Sequence, residues 1–412
     1  MKLHQERWSE GWMTMIGRRS LLAVTGLGAA ALTLPATAAR AATPVPASAP
    51  ASTPARPRPI DLPAPTAGRP VGTVTLHLVD RARQDPFAPV PGPRELMVQL
   101  WYPALGTAGR PRAPYTTARV AAVIETALPL NPGTIGALRP TARTGAPAAP
   151  GALPLLLLGH GRKGGRSNCT ALAEELAAHG YLVAAIDHTY DAAAVEFPDG
   201  RLVRSALSDA PEDWDAAERA EIAARVEDLR FVATELTTGA TARRPGLPGA
   251  DPRRIGALGH SMGGAAAAEA VRRDDRIVAG LDLDGGLFGS PVAELGLDRP
   301  FLLLTSLADH DTWSRWREHQ RGWGRQLRLG GAGHLGFTDL PHAAGPGELA
   351  AHLPAEVYAE LFGTIAPGRA TELTRAYTRA YFDRFLRGRP SALLNGPATR
   401  YPEIEFRWSQ GR

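Results

Sequence analysis

Ile255-Gly256-Ala257-Leu258-Gly259-His260-Ser261-Met262-Gly263-Gly264-Ala265 decides the fold of this chain. A short apolar run leads into a tight turn, and an Ala-rich helix follows. The turn spells G-x-S-x-G with Ser261 at its centre. A serine so placed sits on a strained strand-to-helix bend that lifts its hydroxyl above the sheet. Side chains at Gly259 and Gly263 would crowd that bend. The helix that starts behind Ser261 offers unpaired N–H groups and a positive dipole end, which suit a developing oxyanion. The five-residue pattern is weak by itself. The strand before it and the helix after it make it a nucleophile elbow.

The rest of the chain supports that reading. Leu153–Leu158 is a continuous apolar run, as expected of a strand covered on both faces. Tyr181–Ile186, Ile277–Leu283 and Phe301–Thr305 read the same way, and Gln326–Leu329 as a last short strand. Helical patterns at 171–179, 212–236, 264–273, 312–320, 355–362 and 371–386 alternate with them. Such alternation predicts an α/β fold, a mostly parallel sheet with helices on both faces. Val71–Val79 and Glu95–Tyr102 alternate apolar with polar residues and predict two early strands. Val120–Leu128 predicts a helix in a Pro- and Gly-rich loop. No internal repeat is visible.

Upstream, Arg18-Arg19 opens an apolar run to Leu34, and Ala39-Arg40-Ala41 supplies a small-residue cleavage site. Residues 1–41 read as an export signal of twin-arginine type, which predicts a secreted or cell-envelope protein; a general secretory signal is the competing reading. Residues 42–70, rich in Pro, Ala, Ser and Thr, read as a disordered linker. That leaves 71–412 as one catalytic domain.

The net charge is +5, of which +3 belongs to residues 1–41, so about +2 remains. Lysine occurs only at Lys2 and Lys163, so the basic residues are nearly all Arg and form no block. No nucleic-acid partner is implied. The lone Cys169 permits no internal disulfide. No clustered ligand set for zinc and no phosphate-binding loop is present, and no cofactor is expected.

A serine hydroxyl needs a base, and the base needs a third group to orient it. In chain order Ser, acid, base, the base must follow Ser261. His334 lies in a Gly-rich loop just after the last strand and is favoured over His310, His319, His342 and His352. Asp284 and Asp309 each follow a neighbouring strand, and residue chemistry leaves them level as the acid. Asp282 lies deeper in its strand. One oxyanion donor is the Met262 N–H, and the loop Gly159-His160-Gly161-Arg162 offers the Arg162 N–H as the second. His160 precedes the serine and reads as a loop-shaping residue.

Taken together, Leu155–Gly161, His179–His188, Gly259–Gly264, Leu283–Phe288 and Gly333–Asp339 resemble the α/β-hydrolase superfamily. Within it they look like the plasma-type platelet-activating-factor acetylhydrolases and their lipase- and cutinase-like bacterial relatives. The resemblance covers about residues 72–406. It implies that Asp284 rather than Asp309 is the acid, that His334 is the base, and that Arg162 stands where an apolar residue is usual. The expected activity is an exported serine carboxylic-ester hydrolase acting on short-acyl lipid or small esters, with transient contact to a lipid surface. A polyester or cutin hydrolase is the alternative enzyme. A catalytically inactive hydrolase fold used for binding is the alternative of another class.

Overall fold

The computed structural model describes residues 57–411. The expected export signal and the linker as far as residue 56 lie outside the described residues. The folded unit comprises Pro59–Leu207 and the chain from Asp213 onward.

In chain order, β1 (Ile60–Asp61), β2 (Val71–Gln84) and β3 (Pro93–Pro103) precede α1 (Ala118–Ala127), β4 (Leu138–Arg139) and β5 (Arg143–Thr144). Next come β6 (Ala152–Gly159), α2 (Thr170–Ala178) and β7 (Leu182–Asp187), then β8 (Ala194–Glu196), β9 (Leu202–Arg204) and the long α3 (Trp214–Thr237). The elbow joins β10 (Gly249–His260) to α4 (Met262–Arg273). After it run β11 (Ile277–Leu283), α5 (Val292–Leu295), β12 (Phe301–Thr305), α6 (Asp311–His319) and β13 (Gly324–Leu329). The chain closes with α7 (Leu340–Glu348), α8 (Ala355–Phe362), α9 (Pro367–Arg387) and β14 (Ile404–Gln410).

Ten strands form one sheet in the order β14-β13-β12-β11-β10-β6-β7-β3-β2-β5. From β13 to β7 every neighbouring pair is parallel. Successive side chains of a strand point to opposite faces, which explains the unbroken apolar run in β6. Leu156 and Leu158 pack with Tyr377, Tyr381 and Phe382 of α9. Leu155 and Leu157 face the other way, with Ile222, Val226 and Leu229 of α3 and the alanines of α4. All four leucines are almost fully buried. Burying each is worth roughly 1.5–3 kcal/mol, so this short run fixes both layers at once. The register pairs Gly259 with Gly159 and with Asp282, and Leu283 with Leu304. The carboxyl ends of β6, β10, β11 and β12 therefore share one edge, where α/β sheets bind ligands.

Two expectations need correction. The linker ends near residue 59 and not at 70. β1 pairs with β4, and Leu62 is buried. Arg375 of α9 donates to the Pro63 and Ala64 carbonyls at 2.8 and 3.0 Å, and Glu175 of α2 accepts from the Thr66 N–H and hydroxyl. Distant side chains thus satisfy a segment too polar to fold alone. β13 is also not the last strand, because β14 pairs antiparallel along its outer edge. The remaining expected elements are present, most with ends shifted by a few residues, β2 and β10 being longer.

Candidate active site

The elbow is as tight as its glycines require. Ser261 has φ 55° and ψ −127°, a strained conformation for a residue with a side chain. Its N–H donates to the Leu283 carbonyl at 2.9 Å, tying the nucleophile position to the end of β11. A Cβ on Gly259 would collide with the Gly263 backbone, and one on Gly263 with the Gly159 carbonyl. The close approach of α4 to β6 and β10 therefore excludes any larger residue at either point.

Asp284 follows β11 in the left-handed region, with φ 62°. Aspartate tolerates that region better than most residues. Its carboxylate is fully buried and accepts from His334 Nδ1 at 2.9 Å. Ser306, just beyond β12, donates its N–H at 2.6 Å and its hydroxyl at 2.8 and 2.9 Å to the same carboxylate. With Nδ1–H committed to Asp284, His334 presents Nε2 as the acceptor. Asp309 lies elsewhere: its half-exposed carboxylate binds Arg317 at 2.9 Å and Ser314 at 3.0 Å on α6. Asp282 is fully buried, and burial together with the nearby Asp284 charge pushes its carboxyl well above the usual range. It accepts the Gly285 N–H at 2.8 Å.

The other histidines take other partners. His310 accepts the Thr312 N–H at the start of α6, His319 bonds the Arg315 carbonyl on an exposed face, and His342 bonds Thr371. His260 bonds the His334 carbonyl at 2.8 Å, with the two rings 4.6 Å apart. Burial, and then the neighbouring His334, pushes its pKa down to about 3, so it is neutral at working pH.

His334 opens a single 3-10 turn, His334–Phe337, just after β13. Asp339 anchors the far end of this turn. Its N–H donates to the Asn168 carbonyl at 2.7 Å, and its carboxyl faces the Ala171 N–H in the first turn of α2. Burial pushes its pKa up to about 8, against the pull of that N–H and of Arg375. The unfolded value is ~3.9, so between these values the folded chain holds a proton that the unfolded chain has lost. Stability therefore falls as pH rises from about 4 to about 8 and levels off beyond. Asp339→Asn removes that proton linkage. Thermal unfolding from pH 5 to 8 is expected to show a smaller fall in melting temperature for the variant than for the native chain.

On the oxyanion side, Gly161 approaches so closely that a Cβ there would lie 3.3 Å from the Ser261 Cβ. The Arg162 side chain turns away to a bidentate pair with buried Glu221, at 2.7 and 2.9 Å, above the Trp214 ring. That pairing neutralises a cation standing where an apolar residue is usual. His160 is buried, and burial and then Arg225 hold its pKa well below the usual value. It bonds the Gly161 carbonyl at 2.7 Å through Nδ1 and accepts the His188 N–H at 3.3 Å.

Sequence reasoning missed the support behind this loop. Glu221, Arg225 and Asp228 lie on α3 at i, i+4 and i+7, one face of the helix, and all three are buried. Asp228 binds Arg94 bidentately at 2.6 and 3.1 Å and His188 at 2.9 Å, and the Arg94 charge with these hydrogen bonds holds its carboxyl far below the usual range despite burial. The available signal was their placement beside apolar Ile222, Val226 and Leu229, on a stripe that must face the sheet.

Known proteins resemble this chain in sequence and in fold. The family model described as platelet-activating factor acetylhydrolase, isoform II, matches residues 122–221. A probable 1-alkyl-2-acetylglycerophosphocholine esterase of Arthroderma benhamiae is 31% identical over 277 residues. That match takes in 62% of this chain and 66% of the relative, just under two thirds of its length. The structure of a ferulic acid esterase from Streptomyces cinnamoneus superposes with a TM-score of 0.76 at 41% identity, covering 84% of this chain and 99% of that one.

Proposed function

This chain belongs to the α/β-hydrolase esterases related to platelet-activating-factor acetylhydrolase, and from that premise we propose that it hydrolyses carboxylic esters through an acyl-enzyme on Ser261. His334 Nε2 takes the serine proton as the hydroxyl attacks the ester carbonyl. Asp284 holds the imidazole in the required tautomer and stabilises the imidazolium that forms. The Met262 and Arg162 N–H groups receive the negative charge that develops on the carbonyl oxygen. The proton then passes from His334 to the leaving alcohol, and water, activated by the same base, releases the acid. The observation that carries this reading is the His334–Asp284 contact of 2.9 Å, together with a serine held at positive φ whose N–H bonds the carbonyl of Leu283, the residue before Asp284.

The substrates proposed first are small esters with short acyl groups. A second reading, esters of hydroxycinnamic acids, is favoured by the 41% identity to the ferulic acid esterase over nearly its whole length. Initial rates on p-nitrophenyl acetate, butyrate and octanoate, with methyl ferulate alongside, separate the two. The first reading expects the highest kcat/KM on acetate and a steady fall with chain length. A higher kcat/KM on methyl ferulate selects the second. Failure to turn over any of the four overturns both.

A further inference from the structure

We propose that Arg225, gripped by Asp191, is a positioning residue that aims and polarises the Arg162 N–H as an oxyanion donor. This rests on the serine-esterase reading above. The peptide joining Gly161 to Arg162 is planar and trans, so its C=O and N–H point in opposite directions. Whatever holds the Gly161 carbonyl therefore sets the direction of the Arg162 N–H. Three donors hold it, His160 Nδ1 at 2.7 Å, the Gly164 N–H at 2.9 Å and Arg225 Nη2 at 3.3 Å, and of these only Arg225 carries a full charge. Arg225 Nη1 also donates to the His160 carbonyl, one peptide earlier.

Asp191 fixes the guanidinium in turn. Its carboxylate accepts from Arg225 Nε at 2.6 Å and Nη2 at 2.8 Å, and takes the Lys163 N–H at 3.2 Å. The pair thus touches the backbone of residues 160, 161 and 163, on both sides of Arg162. Both side chains are almost fully buried, Arg225 at 0% and Asp191 at 1% relative exposure. Although burial opposes ionisation, the Arg225 guanidinium holds the Asp191 carboxyl down at about 2.

A buried ion pair adds little net stability over a well-packed apolar pair. Its effect on the neighbouring amide is specific. A cation on the carbonyl side draws electron density through the peptide and strengthens the N–H on the other side. A donor fixed before the reaction also needs no reorganisation as charge develops.

Arg225→Met with Asp191→Asn removes the guanidinium without stranding a buried charge, and Arg225→Lys keeps the charge but not the fork. Rates on p-nitrophenyl acetate are normalised to active sites titrated with a fluorophosphonate, so that misfolded enzyme does not count. For the double variant kcat is expected to fall about 10- to 100-fold, short of the 10²–10³ for outright loss of a donor. KM should stay within about threefold, and affinity for a trifluoromethyl ketone, which forms a tetrahedral oxyanion on Ser261, should fall in step with kcat/KM. Arg225→Lys should recover part of the loss, and if the double variant does not fold, its own deficit in kcat decides. Unchanged kcat per titrated site, or a loss confined to KM, overturns the proposal. An inactive native enzyme, or a Ser261→Ala variant that keeps native turnover, overturns the esterase reading itself and this proposal with it.

Discussion

Ser261→Ala is expected to cut ester turnover on the order of 10⁶-fold, leaving a residual rate about 10³–10⁴ above water from binding and the oxyanion donors. The variant should remain folded. The serine hydroxyl adds little to the packing around it, and the backbone bond from residue 261 to the Leu283 carbonyl does not involve the side chain. The conformation supplies an internal control. With φ at 55°, alanine carries the same backbone strain as serine, whereas glycine carries almost none. Ser261→Gly should therefore be as inactive as Ser261→Ala yet more stable, by about 1 kcal/mol for one strained residue. Thermal unfolding of the two variants side by side, with turnover on p-nitrophenyl acetate, tests both halves. Native-like turnover in either variant rules out Ser261 as the nucleophile.

Much of this site was legible in the sequence, for a physical reason. The elbow is a local structure whose glycines are demanded by contacts within a few residues, so its pattern survives without knowledge of the fold. His334 followed from chain order and from its position after a strand. The neighbouring Asp284 and Asp309 were harder. Each follows a strand of the same edge, and only side-chain direction separates them, which residue type does not encode. What turns Asp284 toward His334 is Ser306, from the next strand over, and that contact spans 22 residues of sequence.

The buried charges were harder still. Arg225 and Asp191 are 34 residues apart, and an Arg on an Ala- and Glu-rich helix looks like a solvated position until the helix is docked. The fold boundary near residue 59 failed for the same reason. Local composition said linker, while the groups that hold residues 63–66 come from Glu175 and Arg375, more than a hundred residues away. Sequence reading succeeds here where the cause of a structure is local. It fails where a polar group is satisfied from a distant element.

Asp284→Asn is expected to lower turnover on the order of 10⁴-fold while Asp309→Asn changes it less than about threefold. The Asp284 carboxylate accepts the His334 Nδ1 proton at 2.9 Å and is itself held by two donors of Ser306. An asparagine in this place can turn its NH₂ toward Nδ1, which then becomes the acceptor and moves the ring proton to Nε2. An Nε2–H cannot take the proton from Ser261. The amide fills nearly the same volume and can still accept from Ser306, so packing should persist. Loss of activity would then come with a nearly unchanged melting temperature and a near-native rate of substrate binding. Asp309 offers the contrast. Its carboxylate faces Ser314 and Arg317 on α6 and is half exposed, and exposed pairs of this kind contribute about 0–1 kcal/mol. Replacing it disturbs the start of α6 and leaves the imidazole untouched. The measurement is kcat for both variants on p-nitrophenyl acetate across pH 6 to 9. The ranking must hold throughout that range, because the Asp284→Asn defect lies in the tautomer and is not recovered by raising pH. The reverse ranking would move the acid to Asp309 and leave the ester-hydrolase reading standing.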